Sequence, residues 1–303
     1  MSPIHAKTVQ IFLPTGDPED IQIAELTSRT IQVIAIPRYL LNEARHHEEI
    51  NNVGLYFLFG EDEKTGRDKV YIGEAENCFS RLKQHDKEKE FWNIALVVNH
   101  KQNQFTKSDV RYLEYLAYDT ARTAERFLLD QNTPTGSHVP RVREVDLLDF
   151  FSTIDVLTAA LGYKVFRSKR KSNQVQPQPI LPLSVSASTS TNDNLWHCSG
   201  RGVKAQGEWT KEGFLIHKGS QSSSNPTENF LVNHAYHVER QQQLIHAGIL
   251  EKKGEHYVFQ EDYLCKTPSM AGCMVLMRPF NGWKEWKSKD GRKLDVLRQK
   301  IIS

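Results

Sequence analysis

The sequence predicts an α/β domain, in which a small antiparallel three-stranded sheet is flanked by helices, followed by a separate α+β domain. Two short runs of aromatic and β-branched residues, 54–59 and 69–72, are separated by a polar stretch and indicate a hairpin with a long loop. After Gly73 the spacing of apolar residues becomes helical. Between 167 and 194 the composition changes to Ser, Gln, Pro, Thr and Asn, which is typical of a flexible linker. The chain therefore divides into an N-terminal β-rich segment (1–50), the α/β domain (51–166), the linker (167–194) and the C-terminal domain (195–303).

Length, composition and charge are those of a globular protein. The 303 residues are enough for two hydrophobic cores, and a net charge of +2 is too small to identify a nucleic-acid binder by itself. The four cysteines show no CxxC spacing, which argues against a disulfide framework and against a four-cysteine zinc site. The N-terminus lacks the apolar core of a signal peptide and no stretch approaches membrane-spanning length, so we expect a cytoplasmic protein that does not act on membranes.

The N-terminal segment alternates in polarity but shows no recognisable chemistry. Residues 9–13 and 21–26 predict a hairpin, and 30–36 predicts a third strand that ends at Pro37. Residues 39–50 indicate a polar helix. The segment can form a small β subdomain of its own or add strands to the sheet of the following domain, and the sequence leaves both open.

The predicted hairpin and the helix after it bring polar side chains together. Side chains alternate along a strand, so a phenol from Tyr56 or Tyr71 can point out of the core. On the following helix Asn77 is a candidate N-cap. Arg81 and His85 are four residues apart, and they therefore share a helix face next to the paired strands.

Three further elements complete the α/β domain. Residues 91–98 form a short apolar run that predicts a buried third strand. Ser108 or Asp109 can cap the next helix. On that helix Glu114 lies on an apolar stripe, where a carboxylate is costly unless a cation meets it. Residues 146–161 indicate another amphipathic helix.

This combination resembles the catalytic domain of the GIY-YIG nuclease family. The similarity covers about Val53 to Tyr163. Leu55 replaces the usual isoleucine, and the loop from Gly60 to Asp68 is longer than usual, but neither difference removes a catalytic group. Five elements occur in the order of the family: Gly54-Leu55-Tyr56, Tyr71-Ile72-Gly73, Arg81 on the following helix, the helical carboxylate Glu114, and Asn132.

The resemblance implies a metal-dependent endonuclease that hydrolyses phosphodiester bonds. In this family one divalent cation, usually Mg²⁺ with Mn²⁺ as a substitute, is held by the helical glutamate, so Glu114 would be the sole protein ligand. Tyr56 would be the general base, with nearby cations lowering the pKa of its phenol, and Tyr71 would orient the water or hold the phosphate, although which tyrosine is the base stays open. Arg81 would donate to the phosphoryl oxygens. His85 can hold the phosphate or act on the leaving group.

Asn132 and Gly73 receive supporting roles from the same resemblance. Asn132 would tie the active-site loops together through hydrogen bonds, and Gly73 would permit a tight turn from strand to helix near the phosphate of the bound nucleic acid. Each candidate also has an ordinary structural interpretation, such as a Glu114 that is salt-bridged to Arg111. The implied partner is DNA, with a homodimer on DNA possible because one such site cuts one strand. The alternative is a catalytically silent module that uses a nuclease fold to bind nucleic acid or a protein partner.

The C-terminal domain resembles an uncharacterised domain that is often appended to nucleases. The resemblance rests on Lys204-Ala205-Gln206-Gly207, Lys218-Gly219-Ser220 and the segment around Gly282-Trp283. Trp283 stands among Lys284 and Lys287, and aromatic rings beside cations are typical of nucleic-acid binding. The alternative is that this tryptophan anchors a small core. Further candidate phosphate contacts are Lys169, Arg170 and Lys171.

Overall fold

The computed structural model describes residues 6–62, 64–168, 195–210 and 213–299. These residues form a mixed α/β protein with two compact units. The first unit comprises the described residues up to 62 and from 67 to 168, and the second comprises 64–66 and the described residues from 195 onward. Most of the predicted linker lies outside the described residues, as do the predicted phosphate contacts Lys169, Arg170 and Lys171.

A seven-stranded sheet forms the centre of the first unit. Its strands are β1 (Val9–Phe12), β2 (Gln22–Leu26), β3 (Ile31–Pro37), β4 (Gly54–Glu61), β5 (Asp68–Ala75), β6 (Trp92–His100) and β7 (Leu128–Leu129). Their order is β1-β2-β3-β6-β4-β5-β7, and every neighbouring pair is antiparallel except β5 with β7. The three predicted strands are therefore present as β6-β4-β5, but inside a sheet of seven.

The larger sheet arises because the N-terminal segment joins it. Strand β3 pairs with β6 along its whole length, from Ile31 opposite His100 to Pro37 opposite Ile94. Of the two arrangements left open by the sequence, the structure has the one in which β1 to β3 add strands to the sheet. The predicted helix over 39–50 is instead three short 3₁₀ helices, at Arg38–Leu40, Glu43–His46 and Glu48–Asn51. None of them has a side-chain cap, and the extended backbone of His47 separates the second from the third.

Helices cover both faces of this sheet. They are α1 (Cys78–Glu88), α2 (Lys107–Ala124) and α3 (Arg141–Ala160). On one face Leu55, Phe57 and Phe59 of β4 pack with apolar side chains of α2 and α3, and on the other face Tyr56 and Leu58 pack with α1. The alternation predicted for this strand is confirmed.

The starts of two of these helices show how well capping could be predicted. Asn77 caps α1 as predicted, since its side chain accepts a hydrogen bond from the Ser80 backbone N–H at 2.8 Å. The N-cap of α2 is Thr106, not Ser108 or Asp109. The Thr106 side chain and Asp109 form a capping box, in which the Asp109 carboxylate accepts a hydrogen bond from the Thr106 backbone N–H at 2.9 Å.

The second unit is α+β. A four-stranded sheet and a three-stranded sheet have the orders β14-β10-β9-β8 and β11-β13-β12. The strands are β8 (Leu195–Gly200), β9 (Val203–Trp209), β10 (Phe214–Ile216), β11 (Gln221–Ser223), β12 (Leu250–Lys253), β13 (His256–Phe259) and β14 (Tyr263–Cys265). The helices are α4 (Glu228–Asn233), α5 (Ala235–His246), α6 (Pro268–Leu276), α7 (Gly282–Glu285) and α8 (Val296–Gln299). Across the described part of both units, no helix is long and apolar enough to cross a membrane.

The tryptophans of the second unit belong to its core. Trp286 is fully buried and its indole N–H donates to the Pro268 carbonyl at 2.9 Å. Trp283 is 5% exposed and packs edge-on against Trp209. The predicted stacking role of Trp283 is therefore not supported, because a buried ring offers no face to a base, and the core interpretation describes this residue.

Candidate active site

Four of the residues predicted for the site meet on one face of the sheet. In the register of β4 and β5, Tyr56 lies opposite Gly73 and Tyr71 lies opposite Leu58, so the two phenols are diagonal neighbours. Their ring centroids are 6.1 Å apart. The imidazole of His85, on α1, lies 5.6 Å from the Tyr56 ring and 5.0 Å from the Tyr71 ring.

Hydrogen bonds connect three members of this cluster. The Tyr56 hydroxyl lies 2.8 Å from His85 Nε2, and Arg81 Nε donates to the same hydroxyl at 3.4 Å. Tyr56 is completely buried and His85 is 2% exposed. Within the described residues, His85 Nδ1 has no hydrogen-bond partner. The helical spacing of Arg81 and His85 thus places both side chains on one phenol, as the sequence predicted for their shared face.

The protonation states in this cluster differ from the prediction. Burial raises the pKa of Tyr56 far above its ordinary value of 10 and Tyr71 adds to this effect, whereas the Arg81 guanidinium acts in the opposite direction. The expected lowering of the Tyr56 pKa by cations is therefore outweighed by burial. For His85, burial and then the charges of Arg81 and Lys89 lower the pKa to about 4. At neutral pH the site accordingly contains a protonated phenol beside a neutral imidazole.

Gly73 serves this cluster in a different way from the predicted turn. It lies inside β5, four residues before Asn77, the N-cap of α1, and it has no positive φ. A Cβ atom at this position would lie 2.3 Å from the Tyr56 hydroxyl oxygen and 2.5 Å from Cζ of the same ring. Gly73 therefore makes room for the buried phenol that lies opposite it on β4.

Glu114 is half-buried on α2 and has a carboxylate neighbour that sequence reasoning missed. Burial, followed by the charge of Glu74, raises the pKa of Glu114 to about 7, while Arg111 and a hydrogen bond from the Glu74 backbone N–H act against this. Among the described residues Glu114 forms no ion pair. Arg111 instead lies 3.5 Å from the Glu74 carboxylate, so the salt-bridged interpretation of Glu114 is not what the structure shows. Glu74 directly follows the Tyr71-Ile72-Gly73 triplet, and its place at the end of β5 was the available signal.

This carboxylate pair fits a divalent cation. A half-buried acid with a raised pKa and a second acid beside it gains from a cation that neutralises both. Magnesium is commonly held by one or two carboxylates and keeps several waters. In the described ranges no three His, Cys, Asp or Glu side chains form a group that could hold a metal ion, so water and substrate would complete the coordination.

Arg81 connects the carboxylates with the phenol cluster. Its charge lowers the pKa of Glu114 as well as that of Tyr56. Arg81 and Glu74 also line an open cleft of about 410 Å³. The cleft is bordered further by Asn77, Ser80, Gln84 and Lys107. A substrate phosphate in this cleft would reach the guanidinium, close to the acids.

The loop role predicted for Asn132 belongs to its neighbour. The Asn132 side chain is exposed and makes no hydrogen bond to the described part of the chain. Gln131 instead binds both backbone groups of Ile72, whose N–H donates to Gln131 Oε1 at 2.6 Å and whose carbonyl accepts from Nε2. Strand β7 runs along the edge of β5, and the Gln131 amide extends that pairing to the triplet that carries Tyr71.

Lys89 is another participant that was not predicted. Its ammonium lies 4.3 Å from the centre of the Tyr71 ring and 2.8 Å from the Asp130 carboxylate, which also binds Lys69 at 2.6 Å. A cation over an aromatic face is stabilising. Lys89 therefore fixes one side of Tyr71.

Of the residues predicted to contact nucleic acid from the C-terminal domain, Lys284 and Lys287 are exposed.

Comparison with known proteins bears on the second unit. A family model described as a domain of unknown function (DUF4357) matches residues 196–298. No curated protein and no solved structure matches the chain. The C-terminal part is thus similar to a domain without an assigned activity, in agreement with the resemblance to an uncharacterised domain. For the first unit, the fold and the site define a mixed α/β protein in which a partly buried arginine connects a buried tyrosine and histidine with two carboxylates.

Proposed function

We propose that the first unit is a divalent-metal-dependent endonuclease of the GIY-YIG type, which hydrolyses DNA phosphodiester bonds with Mg²⁺, or Mn²⁺ in its place. The observation that carries the proposal is the hydrogen-bonded cluster of Tyr56, His85 and Arg81, together with Glu114, whose pKa the Arg81 charge lowers and which has no ion-pair partner among the described residues. The antiparallel order β6-β4-β5, with α1 and α2 on opposite faces, supports the same family.

The geometry suggests how Tyr56 can act as a base despite its raised pKa. Its hydroxyl lies within hydrogen-bond distance of His85 Nε2, and the imidazole is neutral at neutral pH, so a ring nitrogen lone pair is available for the Tyr56 proton. Burial and the charges of Arg81 and Lys89 disfavour the imidazolium, so His85 would hold this proton only during the displacement. As a water oxygen forms its bond to phosphorus, the water proton passes to the Tyr56 oxygen while the Tyr56 proton passes to His85. The phenol then transfers a proton without becoming a free phenolate. The bond from phosphorus to the leaving oxygen breaks in the same displacement, and the leaving oxygen takes up a proton from solvent water to become a hydroxyl.

Arg81, Glu114 and Glu74 would stabilise the negative charge that develops on the phosphate in the transition state. The guanidinium carries a permanent charge and a fixed set of donors for phosphoryl oxygens. Glu114, with Glu74 beside it, would hold the divalent cation, which when bound stabilises charge on the phosphate. Restriction, defence against foreign DNA and repair all use such a reaction. Cleavage of both strands would require two protomers on DNA or two successive nicks.

The test is nicking of supercoiled plasmid, and of single-stranded and branched oligonucleotides, with Mg²⁺, with Mn²⁺ and with EDTA. We expect wild-type cleavage in either metal and a loss of at least about a hundredfold in Glu114→Gln. Asp119→Asn is the matched control, because Asp119 is a carboxylate on the same helix whose partner is Arg122. Cleavage that persists in Glu114→Gln would refute the assigned site. Binding without cleavage in all proteins would favour the catalytically silent module.

A further inference from the structure

The hairpin of β8 and β9 in the second unit has one buried face and one polar face. Trp196 and Cys198 of β8 are buried, as are alternate residues of β9, and they belong to the core of the unit. The residues between them point the other way. In the register His197 lies opposite Gln206 and Ser199 lies opposite Lys204, so these four side chains share the outer face.

Two isolated bridges extend this outer face on the other side of β8. Lys287 pairs with His197 in antiparallel fashion, with backbone hydrogen bonds of 2.7 Å and 2.9 Å in the two directions. Lys293 lies opposite Lys287 in a second antiparallel bridge, in which the flanking residues make the backbone hydrogen bonds. Directly opposite residues lie on the same face, so Lys293, Lys287, His197 and Gln206 form one row. At a strand spacing of about 4.8 Å the row spans roughly 14 Å.

A cavity of about 500 Å³ opens on this face. Its lining includes His197, Ser199, Lys204, Gln206, Lys218 and Gln221. Hydrogen bonds fix its wall. Ser220 Oγ both accepts from the Gln206 N–H at 3.0 Å and donates to the Gln206 carbonyl at 3.1 Å, and Gln221 Oε1 accepts from the Lys204 N–H at 2.9 Å.

The charge on this face is positive. Lys204, Lys218, Lys287 and Lys293 are exposed, and none of them forms an ion pair within the part of the chain that the structure describes. Carboxylates nearby already have partners. Glu208 lies 3.6 Å from His217, and Asp262 accepts a hydrogen bond from the Lys218 backbone N–H at 2.7 Å.

We infer that this lysine face, with Lys204 and Lys218 at the cavity and Lys287 and Lys293 on the row that continues past His197, binds the phosphate backbone of a nucleic acid. Two of these lysines, Lys287 and Lys293, lie on the row that spans roughly 14 Å, and with Lys204 and Lys218 at the cavity the four exceed what one phosphate can neutralise, which favours a polyanion. Ser199 and Gln206 add neutral donors and acceptors for sugar or base edges. Because Trp283 is buried, contact through the backbone replaces the predicted contact through stacking. The inference concerns the second unit and stands whether or not the first unit cleaves DNA.

The experiment measures binding of the full chain to fluorescent single-stranded and duplex DNA by anisotropy, in EDTA so that no metal-dependent step enters. We compare wild type, Lys204→Ala/Lys218→Ala and Lys287→Ala. The control pair is Lys252→Ala/Lys253→Ala, which removes the same charge from the exposed strand β12. Binding should weaken about tenfold or more in the first pair, and the slope of log K against log salt should fall by about one per lysine removed. Thermal melting checks that each variant is folded.

Three results would overturn the inference. The first is equal weakening in the control pair, since binding would then follow net charge and not this face. The second is unchanged affinity and salt dependence in both Lys204→Ala/Lys218→Ala and Lys287→Ala. The third is displacement of DNA by polyglutamate at equal charge concentration, which would identify the face as a general site for acidic chains. Plasmid nicking is scored separately, so failure of either proposal leaves the other intact.

Discussion

Helix α1 takes part in two arginine clusters, one around Arg38 from a 3₁₀ helix and one around Arg81 of α1 itself, and the two clusters differ in how fully their polar groups are paired. Arg38 is 7% exposed, and its guanidinium donates to the Asp86 carboxylate at 2.8 Å and to three backbone carbonyls, those of Asp86, Glu90 and Trp92. It also lies 4.5 Å from the centre of the Trp92 ring. One and a half turns earlier on α1, Arg81 shares the buried Tyr56 hydroxyl with His85, whose Nδ1 has no partner within the described residues.

The difference in polar pairing assigns the Arg38 cluster to the stability of the fold and the Arg81 cluster to the candidate site. In the Arg38 cluster each buried charge and donor has a protein partner, which is the arrangement that makes a buried ion pair tolerable. The candidate site keeps a neutral imidazole, a protonated phenol and two neighbouring acids, and a ligand would supply the missing interactions. Sites that break the rules of polar satisfaction are commonly functional. Substitutions of Arg38 and Arg81 test this contrast directly.

Arg38→Ala should cost about 3–5 kcal/mol of folding stability, because it leaves Asp86 and several buried carbonyls without their donor. Urea denaturation followed by circular dichroism measures the change. Arg81→Ala is the matched comparison and should cost less than about 1 kcal/mol, since Arg81 is only partly buried. Equal losses in the two variants would remove the proposed distinction between the clusters.

Plasmid nicking should respond in the reverse order, so that Arg81→Ala reduces it more than Arg38→Ala does in protein that is still folded. Arg81→Ala should reduce nicking by about 10²–10³-fold, equivalent to roughly 2.7–4 kcal/mol of transition-state stabilisation. Arg81→Lys should recover only part of this loss, because an ammonium lacks the fixed fork of donors. Single-turnover rates at saturating protein separate this effect from weaker DNA binding. Full activity in Arg81→Ala would exclude this residue from the chemistry.

His85 should make stability depend on pH. Its pKa of about 4 in the folded protein lies below the ordinary value of 6.5, so the unfolded chain binds the proton first. The neutral imidazole therefore contributes to the free energy of unfolding in full above pH 6.5, and this contribution is lost as the pH falls through about 4. The loss amounts to roughly 3 kcal/mol at most. The free energy of unfolding of wild type minus that of His85→Asn should therefore decrease over this window. A flat difference would mean that His85 titrates normally.

Gln131→Ala should cost about 1–3 kcal/mol, because the Ile72 N–H and carbonyl each lose a partner in a buried stretch of β5. Asn132→Ala is the adjacent control and should stay within about 0.5 kcal/mol, since its side chain is exposed. Thermal melts of the two variants give the comparison. A larger loss in Asn132→Ala would restore the loop role that the sequence assigned to it.

This pair of residues shows where sequence reasoning about the site reached its limit. Order along the chain placed an amide near the end of the triplet strand but could not choose between neighbours, because only the register of β7 against β5 decides which side chain meets Ile72. The role of Glu74 was also missed because it depends on a contact between two elements. Its proximity to Glu114 depends on how α2 crosses the sheet, which no spacing within one element reveals.

Local features were predicted better than long-range ones. The alternation of β4, the Asn77 cap and the shared face of Arg81 and His85 are each set by neighbours within a few residues, and all are confirmed. The pairing of β3 with β6 joins segments more than fifty residues apart, so the sequence left it open. The protonation state of Tyr56 was also beyond reach, because burial outweighs the charges that the motif brings near it.

The smallest effect on stability is expected for the residue with the largest proposed role. Burial and the Glu74 charge raise the pKa of Glu114 to about 7, so at pH 8 the folded protein holds a carboxylate that it disfavours. Glu114→Gln should leave stability unchanged or raise it by up to about 1 kcal/mol, a reduced value because the side chain is only half-buried.

Asp109→Asn, on the same helix as Glu114, removes a carboxylate that the fold favours, and it is therefore compared with Glu114→Gln. Although burial acts to raise the pKa of Asp109, hydrogen bonds from Arg143 and Thr106 prevail and lower it, so this carboxylate is favoured in the fold. Asp109→Asn should therefore lose about 1–2 kcal/mol in the same denaturation experiment. If Glu114→Gln loses as much as Asp109→Asn, Glu114 is a structural acid like Asp109, and the metal role proposed for it fails independently of any assay of cleavage.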